Sequence, residues 1–230
     1  MIVSLNEIQN LIYRSGLAVK LPAGVAKENS FVAVRMFREG FGSLNVFVKA
    51  FNSLRKTLSV NFDVVKASEG NFVPMINKRR LSSLLVSSSV CDLLTLFEEN
   101  DKKKIIVKKI DEPLILFFHI LQLSKKLNRD FKVSFFLQNN ETNFLISTYE
   151  GIYYLKENLF EEIDADKITI ENFTKQNLSS DFNGLNKGNI DFFLEDEVWL
   201  YFSKFSDSLL VEDSIKSRIH NAGSGLNDND

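Results

Sequence analysis

Apolar positions recur at helical spacing over the first sixty residues and at strand spacing over much of the remaining chain. Ile8, Leu11, Ile12 and Ser15 repeat three and four apart behind Ser4 and Glu7, whose S-x-x-E spacing predicts a capping box. That helix is expected to stop near Gly16. Leu21-Pro22-Ala23-Gly24 predicts a turn that opens a second helix over about 24–39. Its buried stripe is Val25, Asn29, Val32 and Met36, with Ala26, Ala33 and Phe37 alongside, and Glu28, Phe31 and Arg35 form the neighbouring stripe. Gly40 and Gly42 end that helix, Ser43 is placed to cap a third, and Leu44, Phe47, Phe51 and Leu54 line it.

The remainder has a different texture. Residues 60–75 are ambiguous between strand and irregular structure, Leu81 to Val86 is expected as a strand, and a helix comes next from about Val90 to Glu99. Ile105 to Ile110 is a β-branched run suited to a strand. Asp111-Glu112-Pro113 then starts a helix that runs to about Asn128, with Lys125, Lys126 and Arg129 at its negative end. Leu114 to Leu123 is apolar nearly all round, but the run is only about half of the roughly 20 residues that a bilayer requires, so a buried central helix is predicted. Phe131 to Leu137, Asn143 to Tyr149, Ile152 to Leu155 and Lys167 to Phe173 read as successive strands, with Glu150-Gly151 as a hairpin turn. Residues 175–189 read as a loop, and a last helix over about 192–206 carries Val198, Trp199, Phe202 and Phe205 on one face.

These elements predict an α+β fold: an N-terminal helical region over 1–60, then a body over 61–210 in which helices pack on a mostly antiparallel sheet. A Gly/Asp-rich tail over 211–230 closes the chain, and a single integrated domain is expected. The 230 residues suffice for a sizeable core. A net charge of −2 gives no general basic footprint for nucleic acid, and the lysines at 102, 103, 104, 108 and 109 read as a solvated turn and strand face. The 21 phenylalanines and frequent asparagines fit AT-rich coding before they fit a function. Met1 to Glu7 lacks the basic start and apolar core of a secretory signal, which points to the cytoplasm.

Candidate chemistry is sparse. One cysteine, Cys91, and two histidines, His119 and His220, leave no intrachain disulfide and no Cys-based zinc site, so neither a metal nor a cofactor is expected. His119 sits in the apolar helix, where it reads as a core-edge histidine satisfied by neighbours or, alternatively, as a general base. Cys91, placed near a helix start, reads as a small hydrophobe or as a thiol activated by the dipole. Glu28 and Arg35 share one helix face about Phe31 and are placed either to hold a charged ligand or to stand as surface charges. Glu195, Asp196 and Glu197 suit the positive end of the last helix. The ending, Asn221 to Asp230, combines glycines at 223 and 225 with Asp228 and Asp230, without EF-hand spacing.

Three segments carry a resemblance: the opening Ser4-Leu5-Asn6-Glu7-Ile8, the Leu21-Pro22-x-Gly24-x-Ala26-x-Glu28 turn with Arg35, and the ending Ser217-Arg218 followed by Ala222 to Asp230. They resemble a bacterial domain-of-unknown-function family with an SLNE-type N-terminal helical region, a GLAEE-type stretch and a GAGAGLTDND-type tail. Asn221 stands where that pattern has its first tail glycine, Val25 where it has leucine, and Ala23 where it has an aromatic residue. The resemblance implies no reaction. It implies that the tail folds back, so that Glu28, Arg35, Arg218, Gly223, Gly225, Asp228 and Asp230 become ligand-binding candidates. Two functions are expected on these grounds. The first is a cytoplasmic binding or accessory protein without a catalytic motif, its partner a small polar metabolite or another protein. The alternative is an enzyme acting on a small polar or anionic metabolite where the N-terminal helices meet the tail. Neither nucleic acid nor a membrane is expected as a partner.

Overall fold

The chain opens as its capping chemistry directs. In α1 (Leu5–Ala18) the Ser4 amide donates to Glu7 Oε2 at 2.7 Å and the Glu7 amide donates to Ser4 Oγ at 3.2 Å, which satisfies two otherwise orphan donors. These bonds hold the Glu7 carboxyl below its ordinary range. The structure is a computed structural model. It describes residues 2–39, 44–57, 64–67, 71–74, 80–98, 103–137, 142–147, 152–154, 165–173, 183–184 and 193–209, and the tail over 211–230 lies outside these residues.

The first helix ends two residues beyond Gly16, near its expected end. Gly16 is buried, and a Cβ there would lie 2.9 Å from the Ala26 Cβ of α2 (Ala23–Arg38). The glycine therefore permits two helices to approach closely and leaves termination to a later residue. Lys20 does that work, with φ 64°: its amide donates to the Leu17 carbonyl at 2.9 Å and the Leu21 amide to the Gly16 carbonyl at 3.0 Å. This is a Schellman pair with lysine in the left-handed position that glycine usually holds. The third helix, α3 (Asn45–Thr57), buries Phe47, Ala50, Phe51 and Leu54.

The segment expected as a strand over 81–86 is extended only at Leu81 and Ser82 and is helical from Ser83. Leu81 forms one isolated parallel bridge to Ile110, and α4 (Ser83–Thr95) begins two residues later. Asp111 Oδ1 accepts the Ser83 amide at 2.7 Å and so caps α4 from a distant part of the chain. Ser83, Ser87, Val90 and Leu94 are buried at helical spacing, which a short apolar run does not distinguish from a strand. The same Asp111 oxygen accepts the Glu112 amide at 2.7 Å where α5 (Pro113–Leu127) starts. Asn128 ends α5 in the left-handed region at φ 54°.

Among the described residues eight strands form one sheet: β1 (Val64–Ala67), β2 (Asn71–Pro74), β3 (Lys104–Lys108), β4 (Asp130–Leu137), β5 (Thr142–Ser147), β6 (Ile152–Tyr154), β7 (Ala165–Phe173) and β8 (Asn183–Gly184). Their order is β1-β2-β3-β7-β4-β5-β6-β8, and the β2–β3 pair is parallel while the others are antiparallel. The register lines up Ile105, Ile170 and Val133 across β3, β7 and β4, and likewise Val107, Ile168 and Phe135. All six are fully buried, so two apolar cross-strand rows build one face of the sheet. On the alternate positions Lys104 and Lys108 are exposed, and Lys132 pairs with Glu171 at 3.6 Å. The period of two in the sequence produces that division.

Helix α5 joins the two halves. It touches β4 and β5 of the sheet and also α2, α3 and α4, and it is buried without interruption from Pro113 to Leu121. This explains an apolar run with no polar face: both neighbours are protein. No helix among the described residues is long and apolar enough to cross a membrane. The last helix, α6 (Asp196–Asp207), starts four residues later than the expected 192 and returns to the N-terminal region, where it packs on α1 and α3.

Candidate functional site

Helix α6 is held to α1 and α3 by a small set of specific contacts. Ser15 is fully buried and its hydroxyl donates to the Phe202 carbonyl at 2.9 Å, while Arg14 reaches the Ser206 carbonyl at 3.4 Å. Phe51 of α3 meets the Phe202 ring edge-on at 5.3 Å and lies 6.3 Å from Phe205. Tyr201 donates its hydroxyl to Asn52 Oδ1 at 2.8 Å. These contacts fix the last turns of three helices beside one another.

A cleft of about 750 Å³ opens at that junction. Lys20 enters from the end of α1, Arg55 from the last turn of α3 and Lys204 from the last turn of α6. The apolar wall comes from Ala18, Val19, Phe205 and the ring of Tyr201. Arg55 lies over the Phe205 ring, 5.1 Å from its centroid, and also bonds to Tyr201. Burial raises the Tyr201 phenol pKa, an effect that Arg55 partly opposes. None of the described residues lining the cleft is a carboxylate, a histidine or a cysteine, and among the described residues Lys20, Arg55 and Lys204 enter no ion pair.

Cations at helix C-termini have an ordinary explanation, since they complement the helix dipole. Magnitude decides between the readings: three full charges face about half a negative charge from each of three helix ends, leaving a positive balance of about 1.5. The dipoles account for part of this charge, and the rest, on exposed side chains, has no carboxylate partner among the described residues. Lys20 also holds a positive φ, but so does Lys109 outside the cleft, and the Schellman bonds at the end of α1 account for it, so the backbone conformation is a mark of helix termination.

The residues singled out from the sequence are arranged otherwise. Glu28 accepts a 2.5 Å hydrogen bond from Ser88 on α4, whereas Arg35 pairs with Glu39 at 2.6 Å on its own helix. Burial lowers the Arg35 pKa and Glu39 opposes that. Glu28 and Arg35 thus answer to different partners, and the structure does not bring them to a common ligand position. Arg218, Gly223, Gly225, Asp228 and Asp230 lie outside the described residues.

His119 is 5% exposed and its Nε2 lies 3.3 Å from Asn29 Oδ1. The Asn29 amide group donates to the Val25 and Leu84 carbonyls, both at 2.9 Å. With both amide hydrogens committed, Oδ1 faces the ring as an acceptor, which assigns the proton to Nε2. Burial lowers the His119 pKa to about 4, so the ring is neutral at pH 7 and cross-links α2, α4 and α5. Cys91 sits near the end of α4, nine residues into the helix, because α4 begins at Ser83. No N-terminal dipole reaches it; burial, then Glu28 and Asp92, push its thiol pKa up. Glu195, Asp196 and Glu197 stand at the α6 N-terminus as the dipole favours, with Asn45 Nδ2 donating to Glu195 at 3.4 Å.

Among the described residues no three His, Cys, Asp or Glu side chains converge as metal ligands. Sequence reasoning passed over Lys20, Arg55, Tyr201 and Lys204. The one signal they gave, a basic residue at each of three helix ends, ordinarily means only dipole complementation. Comparison of the chain with family models, with curated proteins and with solved structures returns no match, so the geometry alone carries the functional reading.

Proposed function

We propose that this chain is a cytoplasmic binding protein that holds a small anion in the cleft between α1, α3 and α6, without catalysing a reaction on it. The carrying observation is a lining with three cations and no carboxylate among its described residues. Histidine, cysteine and carboxylate are missing from the described lining, which leaves only Lys20, Lys204, Tyr201 and Ser208 as groups able to move a proton or attack, and this favours binding over turnover. A protein-docking role has weaker support. Ile2 and Phe193, 88% and 61% exposed, adjoin through an antiparallel bridge, but Phe31 lies on α2, Leu96 just past α4, Leu200 on α6 and Leu209 just past it. Two adjoining side chains are far from the roughly 20–30 residues per side of a stable interface.

The test is calorimetric titration of the whole chain with sodium tripolyphosphate in metal-free buffer at low and high salt. Binding that weakens at least tenfold in Lys204→Gln and falls with salt is expected. An absence of binding, or binding indifferent to Lys204→Gln and to Arg55→Gln, overturns the reading. Both changes are at exposed positions, so folding is expected to survive them.

A further inference from the structure

The size and the wall of the cleft say more about the ligand than its charge does. This step rests on the anion-binding reading above and narrows it. The cleft is about half open to solvent, and its volume of about 750 Å³ lies within the roughly 300–1,000 Å³ range of organic-ligand sites and exceeds the needs of a single phosphate ion. Phosphate alone leaves the apolar surface of Tyr201 and Phe205 facing water.

That surface is aromatic in character. Tyr201 and Phe205 are half-buried and meet edge-on at 5.2 Å, each presenting part of its ring to the cleft. The guanidinium of Arg55 lies over Phe205, its carbon 5.1 Å from the ring centroid. Planar, polarisable walls of this kind favour a planar ligand group, since base–aromatic stacking contributes about 1–3 kcal/mol per ring. Lys20 and Lys204 add two strongly hydrated point charges and Arg55 adds a fork suited to phosphate oxygens. We propose that the ligand is a phosphorylated aromatic compound of nucleotide size, with its ring against Tyr201 and Phe205 and its phosphates toward Lys20, Arg55 and Lys204.

A nucleic acid polymer fits less well than a mononucleotide. The chain as a whole carries a net charge of −2, and the cations concerned are three at one cleft rather than a track for a backbone. A nucleotide and a simpler aryl phosphate share the chemistry, and a titration series separates them.

The experiment titrates the whole chain with ATP, AMP, phenyl phosphate, adenosine and sodium tripolyphosphate in metal-free buffer. ATP is expected to bind at least tenfold more tightly than tripolyphosphate, and adenosine at least tenfold more weakly than AMP. Tyr201→Leu is expected to reduce the ATP preference to less than threefold while leaving tripolyphosphate affinity within twofold. Lys204→Gln weakens ATP, AMP and tripolyphosphate alike. If phenyl phosphate matches AMP, the aryl phosphate form holds; if AMP is tighter, the nucleotide form holds. Equal affinity for ATP and tripolyphosphate overturns this inference and leaves the anion site standing. Failure of every anion to bind overturns both. Should Tyr201→Leu unfold, as circular dichroism reports, Phe205→Leu and the ratio of ATP to tripolyphosphate affinity in the parent protein decide the matter by the same criteria.

Discussion

At the junction of α2, α4 and α5 the polar groups face one another, whereas at the junction of α1, α3 and α6 like charges face an open cleft. In the first region Asn29 spends its amide hydrogens on two carbonyls and its oxygen on His119, within a shell of buried apolar side chains. In the second, three cations share a lining that offers them no carboxylate among its described residues, and one of them sits on a left-handed backbone. On the reading proposed above, the difference separates polar groups that specify a fold from polar groups available to a ligand. Buried partners that satisfy each other rigidify a core, whereas the three cations of the cleft meet no carboxylate among the described residues.

The comparison breaks most visibly if the first region proves dispensable. Phe118, fully buried on α5 beside Phe117, is expected to cost about 3–5 kcal/mol as Phe118→Ala, read as a lowered urea midpoint. Lys204→Gln in the same assay is expected to fall within about 0.5 kcal/mol of the parent. Comparable losses from the two changes would dissolve the distinction.

The next effect is a pH dependence. His119 has its folded pKa depressed to about 4 against an ordinary 6.5, so between these values the unfolded chain binds more protons than the folded one. Stability from this group is therefore present above pH 6.5 and is lost as pH falls toward 4, by up to about 3 kcal/mol. Asp111 works in the opposite direction, because burial raises its carboxyl pKa and protonation then favours the folded state. The difference between parent and His119→Gln isolates the histidine, since glutamine keeps an N–H for Asn29 and does not titrate. Parallel stability–pH curves for the two proteins would remove the buried neutral ring from the account.

A smaller effect tests the packing beneath the cleft. Gly16→Ala would place a methyl 2.9 Å from the Ala26 Cβ and is expected to cost about 1–3 kcal/mol by pushing α1 from α2. Gly24→Ala, where a Cβ meets nothing within 4 Å, is its control. The smallest effect has the opposite sign. Lys20→Gly relieves the left-handed backbone against the added entropy of an unfolded glycine, for a net gain of about 0.5–1 kcal/mol. The same change is expected to weaken tripolyphosphate binding several-fold. A variant both more stable and a poorer binder sharpens the comparison; one that is less stable shows that Lys20 serves the fold.

Much of the secondary structure was readable from local pattern, and the failures have a common cause. The capping box at Ser4 and Glu7, the α2 stripe, the apolar α5 and the alternation in β3, β4 and β7 depend on residues a few positions apart. The stretch 81–86 misled because its helix is capped by Asp111, 28 residues away from Ser83, and because short apolar runs suit either state. Gly16 marked the end of α1 to within two residues, but its packing role is set by Ala26 on another helix and has no local signal. The same mistake in α4 carried Cys91 to a helix start that it does not occupy.

By itself the sequence determined the α+β character, the helical opening, the strand-rich body and the burial of α5, because hydrophobic period and capping act over one or two turns or along one strand. Tertiary structure alone decided the partners of Glu28, Arg35 and His119, the environment of Cys91 and the existence of the cleft. Lys20, Arg55 and Lys204 come from opposite ends of the chain, and nothing local to any of them differs from an ordinary basic residue near a helix end. Their meeting depends on α6 returning to α1 and α3 through Ser15, Phe51 and Phe202, and such long-range packing has no period to be read in advance.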